Sequence, residues 1–143
     1  LEGFLPPTST PETSVFGGKR LFNGTVASRH MGVDFGGNIG DRVAASNDGV
    51  VALVAANFFY SGNTVIIDHG RKLYSMYFHL SEILVAQGAR VLRGQPLGKI
   101  GATGRVTGPH LHFAMKLAGH YVNPRQLFAY QPRQALFQQL LNR

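Results

Sequence analysis

From Phe16 onward the chain is built of short apolar runs broken by glycine and asparagine. Residues 49–55 (GVVALVA) form one continuous apolar run, which predicts a strand buried on both faces. Residues 63–68 (NTVIID) are β-branched and follow a Ser61-Gly62 turn, while 72–79 (KLYSMYFH) alternate loosely and are rich in aromatics. Asp68-His69-Gly70-Arg71 lies between them and suits a hairpin connection. Residues 88–91 and 96–100 flank a turn at Arg93-Gly94. The run 110–117 (HLHFAMKL) alternates, and Ala118-Gly119 turns it into 120–122, a second hairpin. The tail has a different period. Leu136, Phe137, Leu140 and Leu141 share one helical stripe, and Pro132 suits a first turn, so a short C-terminal helix is expected over 132–142.

The pattern divides the 143 residues into an arm or linker (1–15, LEGFLPPTSTPETSV), one domain (16–130) and the helical tail packed on it (131–143). Composition narrows the chemistry. There is no cysteine, which removes disulfides and thiolate metal sites. No apolar run is long enough for a membrane-spanning helix. The start at Leu1 rather than Met reads as a processed form, and no signal peptide is visible. Fourteen Lys and Arg against seven Asp and Glu suit an anionic partner or serve solubility. The basic residues are scattered and not interleaved with aromatics, so nucleic acid is not expected as a partner. A monomer is the expected state.

Six histidines carry the candidate chemistry: His30, His69, His79, His110, His112 and His120. On a strand, residues two apart point to the same face, so His110 and His112 emerge side by side while Leu111 and Phe113 enter a core. His30 and Asp34 set an imidazole and a carboxylate four residues apart, ahead of Gly36-Gly37. His79 ends the aromatic strand, at a sheet rim. Imidazole nitrogens and one carboxylate oxygen make a three-ligand zinc site whose fourth position is left for water, the pattern of catalytic zinc. Two His and one carboxylate also serve non-haem Fe(II) oxygenases, the competing metal reading.

Three segments, RHMGVDFGG (29–37), YFHLS (77–81) and GATGRVTGPHLHFA (101–114), resemble the lysostaphin-type, or LytM-type, zinc metallopeptidases of bacterial cell-wall turnover. The resemblance covers about residues 16–128 and is most specific over 104–113. It implies one Zn²⁺ held by His30, Asp34 and His112, with His79 and His110 as catalytic residues that do not bind the metal. It implies a mainly β fold, an antiparallel sandwich or half-barrel of the duplicated hybrid motif type. It implies peptide bonds of peptidoglycan stems or cross-bridges as substrate, and a periplasmic or secreted location. The alternative is a metal-free domain of the same fold that binds the cell wall and activates another hydrolase; the intact ligand set favours the enzyme.

In that chemistry zinc lowers the pKa of a bound water from ~16 to about 7 and polarises the scissile carbonyl. An unperturbed histidine titrates near ~6.5 and suits proton transfer. His110 shares a strand face with His112 and is assigned as the base. His79 is assigned to the oxyanion or to orienting the water, and the two roles are open to exchange. Asn23, Tyr74, Tyr77 and Arg105 are expected to line the groove, with Arg105 facing a substrate carboxylate. His69 is read as structural or substrate-contacting, and His120 as solvent-facing.

Overall fold

The alternating run is strand β11 (His110–Leu117), and a computed structural model describing residues 3–22, 24–130 and 139–142 puts it inside the main sheet. The other strands are β1 (Glu12–Ser14), β2 (Lys19–Phe22), β3 (Thr25–Arg29), β4 (Val33–Gly36), β5 (Arg42–Ala44), β6 (Gly49–Phe58), β7 (Gly62–Asp68), β8 (Leu73–Ile83), β9 (Arg90–Val91), β10 (Pro96–Ile100) and β12 (His120–Val122). The sheet runs β1-β4-β11-β8-β7-β6-β9. β10 pairs with β8 and β5, β12 pairs with β11, and β2–β3 form a separate hairpin. Every pairing is antiparallel, as the expected mainly β antiparallel fold requires, and the main sheet is open.

Period two sorts the side chains. Leu111, Phe113 and Met115 of β11 enter the core beside Val33 and Phe35 of β4, Tyr77 of β8, and Val65 and Ile67 of β7. Burying each large apolar side chain stabilises the fold by roughly 1.5–3 kcal/mol. The opposite face of β4, β11 and β8 carries Asp34, His110, His112 and Phe78, all partly accessible. The core thus fixes the sheet that presents the polar face.

The structure alters one expectation and fills in others. Residues 49–55 are buried on one face only, with Val50 and Ala52 exposed, because β6 lies near the sheet edge. Of arm and linker, the N-terminal segment is an arm lying on the domain: Phe4 is buried in the core and β1 pairs with β4. A helix absent from the sequence reading, α1 (Pro124–Ala129), starts where Asn123 accepts the Arg125 amide and Pro124 opens the first turn. The tail helix over 132–142 falls mostly outside the described residues, of which 139–141 are helical.

Tyr77 is fully buried, so it does not line a groove. Its hydroxyl accepts the Ser46 amide at 2.9 Å and lies 2.9 Å from Ser75 Oγ. Burial pushes the phenol up to about 12, against those two hydrogen bonds. Ser75 Oγ is also 2.7 Å from His69 Nε2, while His69 Nδ1 donates to the Asp48 carbonyl at 2.7 Å. His69 is therefore structural. Burial lowers its pKa, outweighing the Asp48 carbonyl and the charges of Asp68 and Asp48, which raise it. The unfolded chain then binds the extra proton more readily. This contribution to stability is full above about pH 6.5 and is lost as pH falls below it toward the folded-state value. Melting temperature should fall over that range, and less steeply in His69→Gln; parallel curves would show that His69 does not contribute.

Candidate metal centre and cleft

Cross-strand register assembles the first part of the site. His112 pairs with Asp34 on one side and with Phe78 on the other. His112 Nδ1 lies 2.8 Å from Asp34 Oδ1 and 3.1 Å from His30 Nε2, and His30 Nε2 lies 3.2 Å from Asp34 Oδ1. Three potential ligand atoms on β4, β11 and the residue after β3 thus meet within 4.8 Å of one another. Tetrahedral bonds of about 2.0–2.1 Å separate their ligands by about 3.3 Å. The donor set fits such an ion with adjustments of a few tenths of an ångström.

The ring orientations are fixed from behind. A carbonyl only accepts, so His30 Nδ1 donates to Val15 O at 2.9 Å, and its Nε2 turns a lone pair toward Asp34 and His112. Ser14 Oγ lies 3.3 Å from the same Nδ1. Burial raises the Asp34 pKa, but the His112 hydrogen bond and the charges of His112, His30 and His110 outweigh it, so the carboxyl titrates below its usual range. A carboxylate held ionised is what a cation requires.

Gly32 makes the close approach possible. A Cβ there would sit 2.4 Å from Phe113 O and 2.9 Å from His112 Cε1. Gly32→Ala should cost about 1–3 kcal/mol, as overpacking does. Because the backbone oxygen cannot yield, the His112 ring should shift and zinc affinity fall. Thermal melting and titration with zinc check both; wild-type values in the two would show that the contact relaxes freely.

His79 reaches the site by a route the sequence does not display. It lies within β8, which continues to Ile83, and not at a strand end. Between Tyr77 and Leu80 the β7–β8 register slips: Val65 faces Tyr77 but Asn63 faces Leu80. The extra residue is a bulge, and His79 adopts φ +64° there. Phe78 and His79 therefore both line the cleft. His79 and His110 have ring centroids 4.9 Å apart, and His110 Nε2 is 4.0 Å from Asp34 Oδ1. His79 Nδ1 donates to Thr103 O at 2.9 Å, and His110 Nδ1 donates to Gly108 O at 3.0 Å. Each neutral ring therefore keeps a lone pair on Nε2. Burial lowers the His79 pKa against the Thr103 carbonyl, and the proximity of the imidazoles His110 and His112 lowers it further against Asp34.

The cleft has a volume of about 740 Å³ and is also lined by Asp34, His112, Tyr60, Ser61, Arg105, Val106 and Thr107. Arg105 is on its wall, with its guanidinium 5.9 Å from the centre of the Tyr60 ring. Tyr74 is four residues along β8 from Phe78, about 13 Å away, and is not among the lining residues. Asn23 lies outside the described residues. His120 is exposed on its hairpin. Sequence reading missed Tyr60 and Ser61; the exposed aromatic run Phe58-Phe59-Tyr60 at the β6–β7 turn was the signal that marks them.

A profile of peptidase family M23 matches residues 28–124, most of the chain and all five site residues. The chain belongs to peptidase family M23. Among M23 relatives, the peptidoglycan DD-endopeptidase ShyA of Vibrio cholerae is 50% identical over 94 residues, covering 66% of this chain and 22% of ShyA. The DD-carboxypeptidase/endopeptidase Mpg of Neisseria meningitidis is 42% identical over 95 residues, 66% of this chain and 22% of Mpg. The chain thus spans about a fifth of the length of these relatives. A zinc-containing peptidase from Vibrio cholerae superposes with a TM-score of 0.80 at 38% identity, covering 91% of this chain and 41% of that one. Lysostaphin from Staphylococcus simulans superposes with a TM-score of 0.73 at 28% identity, covering 83% and 49%.

Proposed function

We propose that this M23 domain is a zinc-dependent endopeptidase that hydrolyses peptide bonds in the stems or cross-bridges of peptidoglycan. The observation that carries the reading is the meeting of His30 Nε2, Asp34 Oδ1 and His112 Nδ1 beside two further imidazoles on one cleft. Zinc bound there supplies Lewis-acid activation of a water and of the scissile carbonyl. His30, Asp34 and His112 hold it, one ion per chain. His110 and His79 keep Nε2 as the proton-accepting atom. His110, nearer Asp34, would take the proton from the nucleophile and return it to the leaving amine; His79, whose Nε2 keeps a lone pair, would accept a hydrogen bond from the nucleophile and orient it. Arg105 on the cleft wall meets a substrate carboxylate.

The complete ligand set argues against the metal-free regulator. The relatives named as peptidoglycan endopeptidases support the substrate and a place in the cell envelope, periplasmic or secreted. Digestion of purified peptidoglycan by the zinc-loaded chain, with fragments identified by mass spectrometry, tests the reading. New peptide termini on an intact glycan are expected. Uncut peptidoglycan together with stimulation of a partner amidase would establish the regulator instead.

A further inference from the structure

We infer that Thr103 is the positioning residue of His79: its hydroxyl holds in place the peptide whose carbonyl fixes the tautomer and direction of the ring. The kinetic part of this inference rests on the peptidase reading; the tautomer part does not.

Thr103 grips two consecutive residues of β8. Its carbonyl accepts His79 Nδ1–H at 2.9 Å, and its hydroxyl donates to the carbonyl of Leu80 at 2.8 Å. The same hydroxyl oxygen accepts the Asn63 amide at 3.0 Å, from the strand opposite the bulge. The Thr103 peptide cannot rotate away from His79 without breaking a hydroxyl bond on each side of the bulge.

The position needs such a grip. His79 sits at φ +64°, where a side chain is disfavoured, so contacts around it must hold the conformation. The second contact is the His79 amide donating to Ser61 O at 2.8 Å. Ser61 and Thr103 belong to two loops packed against each other. A Cβ on Gly62 would meet Thr103 Oγ1 at 2.4 Å, and one on Gly104 would meet Gly62 N at 2.5 Å. Thr103 is thus wedged where the two loops meet, and its carbonyl sets which ring nitrogen of His79 carries the proton.

Valine keeps the shape of threonine and removes the hydroxyl. Leu80 O retains Asn63 Nδ2 as a donor at 2.9 Å, which limits the cost to folding. The zinc-loaded protein is compared with Thr103→Val and Thr103→Ser. The readouts are zinc content, kcat and KM on a purified peptidoglycan peptide, and side-chain ¹⁵N shifts of His79. In Thr103→Val zinc content should be unchanged and kcat should fall roughly 10- to 100-fold, as a small misplacement of a reacting group does. The ¹⁵N shifts should move from the Nδ1–H pattern toward a mixture of tautomers. Thr103→Ser should restore both. Wild-type kcat and shifts in the valine variant would overturn the inference, as would loss of zinc or an equal defect in the serine variant. A wild-type protein without activity would sink the peptidase reading, while the ¹⁵N comparison would still decide the tautomer.

Discussion

His112→Ala is expected to bind no zinc and to release no peptide from peptidoglycan. His112 Nδ1 lies 2.8 Å from Asp34 Oδ1, closer than His30 Nε2 at 3.2 Å, and its removal leaves two donors where catalytic zinc takes three. The loss should also be visible without substrate. Zinc stabilises the form that binds it by about 2.7 kcal/mol at 100 times its dissociation constant. Added zinc should therefore raise the melting temperature of the wild-type chain and leave that of His112→Ala unmoved. Equimolar zinc retained by the variant would remove His112 from the ligand set.

The variants His110→Ala and His79→Ala should separate turnover from metal binding. Neither ring is needed to close the three-ligand set, so zinc content should match wild type. Each should lose about 10²- to 10⁴-fold in kcat, the range of a lost general acid or base. The double variant decides between the roles. If the two histidines serve one proton transfer, the double loss will be close to the larger single loss. If they serve separate steps, the losses will multiply. Loss of zinc in either single variant would make that residue part of the metal site.

The sequence made the β11 half of the site readable because period two is a local property. Alternation alone placed His110 and His112 on one face and Leu111 and Phe113 in the core, and the structure has this arrangement, with Met115 continuing the buried face. His30 and Asp34 were weak as a pair, and only the motif resemblance joined them to His112. The His79 geometry was not readable, because a bulge is a mismatch between β8 and β7 and neither strand displays it alone. Tyr77 was misplaced for a related reason. Once Tyr77 is known to face Phe113 across β8 and β11, its burial follows, but that register is a tertiary fact. Phe4 and β1 were hidden by the proline and threonine around them, since three paired residues leave no period to detect.

The segment before Phe16 bears on where the metal-site unit begins. The family profile starts at residue 28, yet His30 rests on the carbonyl of Val15, and β4, which carries Asp34, has β1 as its outer neighbour. A fragment trimmed to residue 16 would retain all five histidine and aspartate side chains of the site. It would lack the acceptor that turns one of them toward the ion, and it would bare the hydrogen-bonding edge of β4 to other chains. Such a fragment carries the full residue signature of the family without the geometry that holds it, so transplanting the proposed activity into another protein should start no later than Phe4, whose ring anchors the segment in the core.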